Sequence, residues 1–137
     1  MIKGTQPYLF EFGKIGDSSI GYISVAEAPT LPFPVKRVYW TYFTPHEVIR
    51  GNHAHKKLQQ IIVAVAGQIT LDVINSNGIK ETFHLTKPNQ ALYIPPMCWR
   101  TLQFSHSAVL MCLSSEPFSE TDYIRDFNDF IKQTKRG

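Results

Sequence analysis

The chain of 137 residues predicts an all-β fold: two sheets of short strands packed as a sandwich or barrel, with one short helix at the C-terminus. Three observations predict it. Apolar and polar side chains alternate with period two in several runs, most clearly over residues 35–43. Those runs are short and regularly punctuated by Gly67, Asn75-Ser76-Asn77-Gly78, Pro88 and Pro95-Pro96, a spacing that suits antiparallel strands and excludes βαβ units. Helical signals gather only after Ser119.

The elements follow in order. Residues 8–12 form an aromatic strand closed by Gly13, and Gly16-Asp17-Ser18-Ser19 reads as a turn. Residues 21–26 form a second strand. Three prolines within residues 28–34 exclude a helix or a central strand, so this stretch is a loop crossing between sheets. Residues 35–43 then place Arg37, Tyr39 and Thr41 on one face and Val38, Trp40 and Tyr42 on the other. After a loop over 45–49, a strand opens at the His53/His55 segment and continues through residues 59–66. Gly67 turns it, and residues 68–74 return. The Asn77-Gly78 pair tolerates positive φ at both positions of a hairpin turn. Residues 79–85, 90–94, 100–105 and 108–114 complete the strands. At the end, Ser119 caps a helix with Asp122 three residues on; Ile124, Phe127 and Ile131 share a face, and Lys132, Lys135 and Arg136 suit its carboxyl end.

Composition narrows the function classes. Hydrophobic residues make up 43% and charged residues 18%, which suits one globular domain over residues 1–137 and not a disordered chain. The net charge of +3 is slight and scattered, with no basic block, so nucleic acid is excluded as a partner. No apolar run approaches the roughly 18 residues of a membrane span, and the first residues lack the apolar core of a signal peptide. Cys98 and Cys112 sit in apolar surroundings and read as buried, reduced thiols of a cytoplasmic protein.

The segment Arg50-Gly51-Asn52-His53-Ala54-His55-Lys56 carries the chemistry. On a strand, His53 and His55 point the same way with small Ala54 between them. The pattern Gly-x-His-x-His, then Gln60 and Gly67, resembles the first motif of the cupin superfamily, whose fold is a double-sheet β-barrel (jelly roll). Cupin metal sites add a glutamate and, from a second motif, a third histidine. Here Gln60 stands at the glutamate position and Arg100 at the third histidine, and a guanidinium cannot ligate a divalent ion. No metal is expected. The imidazoles are then either core groups bonded to backbone or acid/base catalysts, since imidazole exchanges protons near neutral pH. Tyr39, on the facing strand, can donate to a developing oxyanion.

Four blocks in order, Arg37-Val38-Tyr39, Arg50 to Gln60, Leu92 to Trp99 and Asp122-Tyr123-Ile124-Arg125-Asp126, resemble the WxcM-like cupins. Within that group they are similar to the dTDP-4-keto-6-deoxyglucose 3,4-ketoisomerases. The resemblance implies a homodimeric isomerase without metal or cofactor, acting on a dTDP-linked 4-keto-6-deoxyhexose in deoxyamino-sugar biosynthesis. It implies His53 as base, His55 assisting, and Tyr39 relaying protons or holding the sugar. The chain departs from the family pattern at Ser19-Ile20-Gly21, where relatives often carry an acid-Arg-Gly element, and at Arg100, where many place a histidine. Arg37, Arg50, Lys56 and Arg100 are candidates for the diphosphate, Tyr93 and Trp99 for stacking on the thymine, and Gln60 for the binding shell. A 3- or 3,5-epimerase sharing the barrel, and a non-catalytic nucleotide-sugar binding module, stay open as alternatives.

Overall fold

The computed structural model describes residues 6–134. Its strands are β1 (Tyr8–Glu11), β2 (Ile15–Asp17), β3 (Gly21–Ile23), β4 (Arg37–Thr41), β5 (Ile49–His55), β6 (Gln60–Ala66), β7 (Ile69–Ile74), β8 (Lys80–Leu85), β9 (Gln90–Ile94), β10 (Trp99–Phe104), β11 (Val109–Ser114) and β12 (Tyr123–Ile124), followed by the helix α1 (Phe127–Thr134). One sheet has the order β1-β9-β6-β11-β4, the other β12-β5-β10-β7-β8, and β2 pairs only with β3. The two large sheets stack as an antiparallel sandwich. Hydrogen bonding does not close them into a barrel, and an open seam runs between edge strand β4 and the β5/β12 edge.

Burial explains the strand sequences. The run Ile61-Ile62-Val63-Ala64 is apolar throughout because both faces of β6 are covered. Ile62 and Ala64 face the space between the sheets with Leu71, Leu92 and Leu110. Ile61 and Val63 face outward beneath Phe12, Phe33 and Tyr93. Strand β7 has one wet face instead: Ile69, Leu71 and Val73 are buried, while Asp72 accepts a hydrogen bond from Thr82 on β8 at 2.6 Å. A third cluster, Ala54, Trp99, Ile124 and Phe130, lies outside the second sheet under α1.

The structure corrects three expectations. The strand expected to run from His53 through residue 66 is two strands, β5 and β6, in opposite sheets. Between them Lys56 to Gln59 cross the sandwich, held by the Asp122 carboxylate, which accepts from the amides of Lys57 (2.8 Å) and Leu58 (3.2 Å). The loop over 28–34 leads from β3 of the two-stranded sheet to β4 of the first large sheet, and Leu31 and Phe33 pack on the outer face of the latter. In the β7–β8 turn only Gly78 takes positive φ (82°), while the Asn75 side chain accepts from the amides of Asn77 and Ile79. Last, α1 begins at Phe127, not at Ser119. Ser119 makes no capping bond, Glu120–Asp122 is a single 3₁₀ turn, and the Asp126 carboxylate caps α1 through the amide of Asp129 at 3.0 Å. Phe130, rather than Phe127, is the buried residue of α1. Lys135 and Arg136 lie outside the described residues.

Candidate active site

Both histidines project from β5 into the seam, and a bulge aims them. In the β5–β10 ladder Arg100 lies opposite His53 while Thr101 lies opposite Gly51, so Asn52 is the extra residue. Gly51 and Asn52 take φ of 89° and 57°. A Cβ on Gly51 would stand 2.8 Å from the Arg100 carbonyl oxygen, so this position needs glycine, and asparagine is among the few residues that tolerate its own. The bulge also brings the Gly51 carbonyl to 3.0 Å from His53 Nδ1. A carbonyl only accepts, so Nδ1 carries the proton and Nε2 keeps its lone pair. His53 is thereby held in the tautomer of a base.

His55 is 1% exposed, and neither ring nitrogen has a hydrogen-bond partner. Its Nδ1 lies 3.6 Å from Asp122 Oδ2, beyond a hydrogen bond. The two imidazoles meet edge to face with centroids 4.8 Å apart, and the Tyr123 ring covers both, at 5.0 Å from His53 and 4.3 Å from His55. Burial first, and the Arg100 charge second, push His53 down to about 4 and His55 lower still. Both rings are neutral at physiological pH.

A connected polar set spans the seam, from Arg100 beside His53 on one sheet to Gln60 and Tyr39 on the other. Arg100, 1% exposed, donates from Nη1 to Gln60 Oε1 and from Nε and Nη2 to the Cys98 carbonyl at 3.3 and 3.2 Å. Gln60 Nε2 donates to Tyr39 Oη at 3.2 Å. Burial holds the Tyr39 phenol well above its ordinary value, so it keeps its proton. Among the described residues no carboxylate pairs with Arg100, whose charge faces the cavity uncompensated.

Two cavities flank the histidines. A small one of about 80 Å³ is lined by Tyr39, His53, Gln60 and Arg100, with Arg50 at its edge. A larger one of about 380 Å³ is lined by His55, Tyr123, Arg37, Lys56, Lys57 and Phe118. Arg37 lies over the Tyr39 and Phe118 rings at 5.3 and 5.8 Å, and its buried Nε and Nη2 have no partner.

The seam thus brings together Arg37, Tyr39, His53, His55, Gln60 and Arg100, with exposed Arg50 and Lys56 on its rims. Tyr93 and Trp99 are not part of it. Leu92 and Ile94 face inward, so Tyr93 must face out, where it packs 5.0 Å from the Tyr8 ring and donates to Gln59 Oε1 at 2.7 Å. Arg100 faces inward, so Trp99 faces out, against Phe127 and Phe130 of α1 at 5.2 and 5.8 Å. Neither ring can stack on a ligand beside the histidines. Ser19-Ile20-Gly21 lies at the β2–β3 hairpin, outside both large sheets. Residue-level reasoning missed Asp122 and Tyr123 as site residues, and it read them as helix; the signal that pointed to them was the Asp122–Asp126 block. Beside them Arg125 lies 4.0 Å over the Tyr123 ring and pairs with Glu120 at 2.7 Å.

A cupin metal does not fit this donor set. Arg100 and Gln60 stand where the third histidine and the glutamate would coordinate, and among the described residues no three His, Cys, Asp or Glu side chains converge. No step is assigned to a metal.

Comparison with known proteins shows which family and fold the chain shares. A family model described as FdtA: WxcM-like, C-terminal matches residues 5–135. A TDP-4-oxo-6-deoxy-α-D-glucose-3,4-oxoisomerase of Aneurinibacillus thermoaerophilus is 38% identical over 125 residues, covering 90% of this chain and 89% of the relative. The solved structure of QdtA, a sugar 3,4-ketoisomerase of Thermoanaerobacterium thermosaccharolyticum in complex with TDP, superposes with a TM-score of 0.89 at 32% identity, covering 95% of each chain. A 3,4-ketoisomerase of Helicobacter canadensis superposes with a TM-score of 0.89 at 30% identity, covering 96% of this chain and 98% of that one.

Proposed function

The chain belongs to the FdtA, WxcM-like family, and from that premise we propose that it is a 3,4-ketoisomerase, converting dTDP-4-keto-6-deoxyglucose to the 3-keto sugar for deoxysugar biosynthesis. One observation carries the reading beyond the family: His53, half-buried, neutral and fixed with its Nε2 lone pair free, stands across a seam from the protonated Tyr39 phenol.

The chemistry needs no more than this pair. The C3 hydrogen of a 4-keto sugar is acidic because its carbanion delocalises into the ketone. His53 Nε2 takes the C3 proton; the C–H pair becomes the C3–C4 double bond, and the carbonyl π pair moves to O4, which takes the Tyr39 proton. The resulting enediol returns its O3 proton to the tyrosinate as the C3=O bond forms, and C4 takes a proton from the imidazolium. Hydrogens leave C3 and O3 and arrive at C4 and O4, so the balance closes without a redox partner. The uncompensated Arg100 guanidinium stabilises the enediolate charge in a dry site. His55, covered by Tyr123, walls the site and keeps water from His53.

The diphosphate belongs in the larger cavity. The unpartnered Arg37 nitrogens and the ammonium groups of Lys56 and Lys57 supply cationic donors there, with Arg50 at the opposite rim. A homodimer suits the outer face of edge strand β4, where Val38 and Trp40, and Tyr42 just past the strand's end, are exposed. We read the chain as one isomerase domain working in the cytoplasm, where dTDP-sugars are made and where Cys98 and Cys112, neither in a disulfide, stay reduced. No helix among the described residues is long and apolar enough to cross a membrane.

Incubation with dTDP-4-keto-6-deoxyglucose and NMR of the product tests the reading. A dTDP-3-keto-6-deoxyhexose is expected. Inversion at C3 or C5 with the ketone still at C4 would make the protein an epimerase, and binding of dTDP without turnover would make it a binding module.

A further inference from the structure

A tyrosine used as a proton donor must have its hydroxyl proton directed toward the substrate, and the polar set opposite the histidines decides that direction. Arg100 is a pure donor. Its Nη1 is bonded to one end of the Gln60 amide, so that end must be the oxygen. The Gln60 amide therefore cannot flip, and its nitrogen is the end 3.2 Å from Tyr39 Oη. An amide nitrogen only donates. Tyr39 Oη is consequently an acceptor toward Gln60, and its own proton is turned away from that side.

Cys112 is buried on the neighbouring strand β11, opposite Tyr39 in the ladder, and a thiol is at best a weak acceptor for the phenol proton. A ligand oxygen gathering negative charge in the adjacent small cavity, which Tyr39 and Gln60 both line, is the stronger acceptor and takes that proton on a side of the phenol that Gln60 does not occupy.

We propose that Gln60 is a positioning residue for the isomerisation: locked by Arg100, it donates to Tyr39 and so fixes the phenol as a hydrogen-bond donor toward the sugar O4. Gln60 occupies the position of the cupin glutamate, and a carboxylate there reverses the arrangement. It has no proton to give, so it accepts from Tyr39 and draws the hydroxyl proton away from the cavity, while pairing with Arg100 and keeping the local volume. An amide at residue 60 is thus what an acid at residue 39 requires. This rests on Tyr39 being the donor in the reaction proposed above.

The test is a cycle of Gln60→Glu, Tyr39→Phe and the double variant, reading kcat with dTDP-4-keto-6-deoxyglucose and dTDP affinity by calorimetry. Gln60→Glu is expected to lower kcat by about 10²-fold, the scale of one general acid, with dTDP affinity unchanged within about threefold. The double variant is expected to be no slower than Tyr39→Phe alone, because Gln60 acts only through the phenol. A kcat for Gln60→Glu within about threefold of wild type, or full additivity in the double variant, overturns the proposal while leaving Tyr39 as donor. A Tyr39→Phe enzyme at the wild-type rate removes the donor reading and this inference with it. Should Gln60→Glu not fold, Gln60→Met takes its place in the cycle: it removes the amide donor at similar volume, with a loss of about tenfold and the same non-additivity expected, and an unchanged rate overturning the proposal.

Discussion

His53 illustrates how much of this site is settled by single neighbours. The Gly51 carbonyl fixes its tautomer, and burial beside Arg100 fixes its charge. A folded-state value near 4, against the ordinary 6.5, means the unfolded chain binds more protons between those two values. The stability contributed by keeping this ring neutral is fully present above pH 6.5 and is lost as pH falls through about 4. Thermal unfolding scans across that window should show Tm falling steadily with acidification in the wild type, and a shallower fall in His53→Asn. Equal slopes would show that the ring is not held neutral. For the same reason the acid limb of kcat/KM should not appear near pH 6.5 but closer to 4, which a pH–rate profile reads directly.

Alternation on a strand also limits what adjacent aromatic and cationic residues can do together. Trp99 and Arg100 are neighbours on β10, so one faces in and the other out, and no ligand between the sheets touches both. That much was readable from the chain. Which of the two faces inward was not, because it depends on α1 arriving outside the second sheet to bury Trp99. Tyr93 is the same case, decided by Phe33 and Tyr8 on the outside of the first sheet.

Two local devices shape the strands around the site. The bulge at Gly51-Asn52 turns His53 into the seam, and Gly51→Ala places a Cβ 2.8 Å from the Arg100 carbonyl in a positive-φ conformation. We expect a loss of about 2 kcal/mol in chemical denaturation, on the scale of one strained left-handed residue. Activity should fall further than stability alone explains, because the bulge sets both the aim and the tautomer of His53. Wild-type kcat with dTDP-4-keto-6-deoxyglucose in a folded Gly51→Ala protein would contradict this. The second device is the Asp122 carboxylate on the amides of Lys57 and Leu58. Asp122→Ala leaves both amides without their acceptor where the chain crosses the sandwich, and should cost about 2–3 kcal/mol in the same assay.

These devices differ in how legible they were. Glycine and asparagine side by side tolerate positive φ, a mark present at residues 51–52 although that segment reads from the sequence as a plain strand. The crossing at residues 56–59 carried no such mark. Leu58 to Ala66 continues an apolar pattern without a proline or glycine, and the group that breaks it arrives from Asp122, more than sixty residues away. The same distance hid Tyr123, which a capping pattern at Ser119 made resemble the first turn of a helix. The antiparallel sandwich and most strand positions were readable because β7 and β10 keep one consistent buried face and β4 alternates half-buried with exposed residues.

At the scale of the molecule, the proposed ligand site is the open seam and the proposed dimer interface is the outer face of β4. Trp40 is 62% exposed in a row with Val38 and Tyr42. Trp40→Lys should shift the protein from dimer to monomer in light scattering, without unfolding it, since the Trp40 side chain is mostly exposed. A wild-type monomer, or a dimer indifferent to Trp40→Lys, would place the interface elsewhere.

The account depends most on one proton. With dTDP-4-keto-6-deoxyglucose in heavy water, wild-type enzyme should form the 3-keto sugar labelled with deuterium at C4 and return deuterium to C3 of the 4-keto substrate it re-forms. His53→Asn should bind dTDP with near wild-type affinity and leave C3 unlabelled over many wild-type turnover times, a loss of about 10²–10⁴-fold or more. Deuterium entering C3 at the wild-type rate in that variant would show that another group takes the proton, and the assignment of His53 as the base would fall.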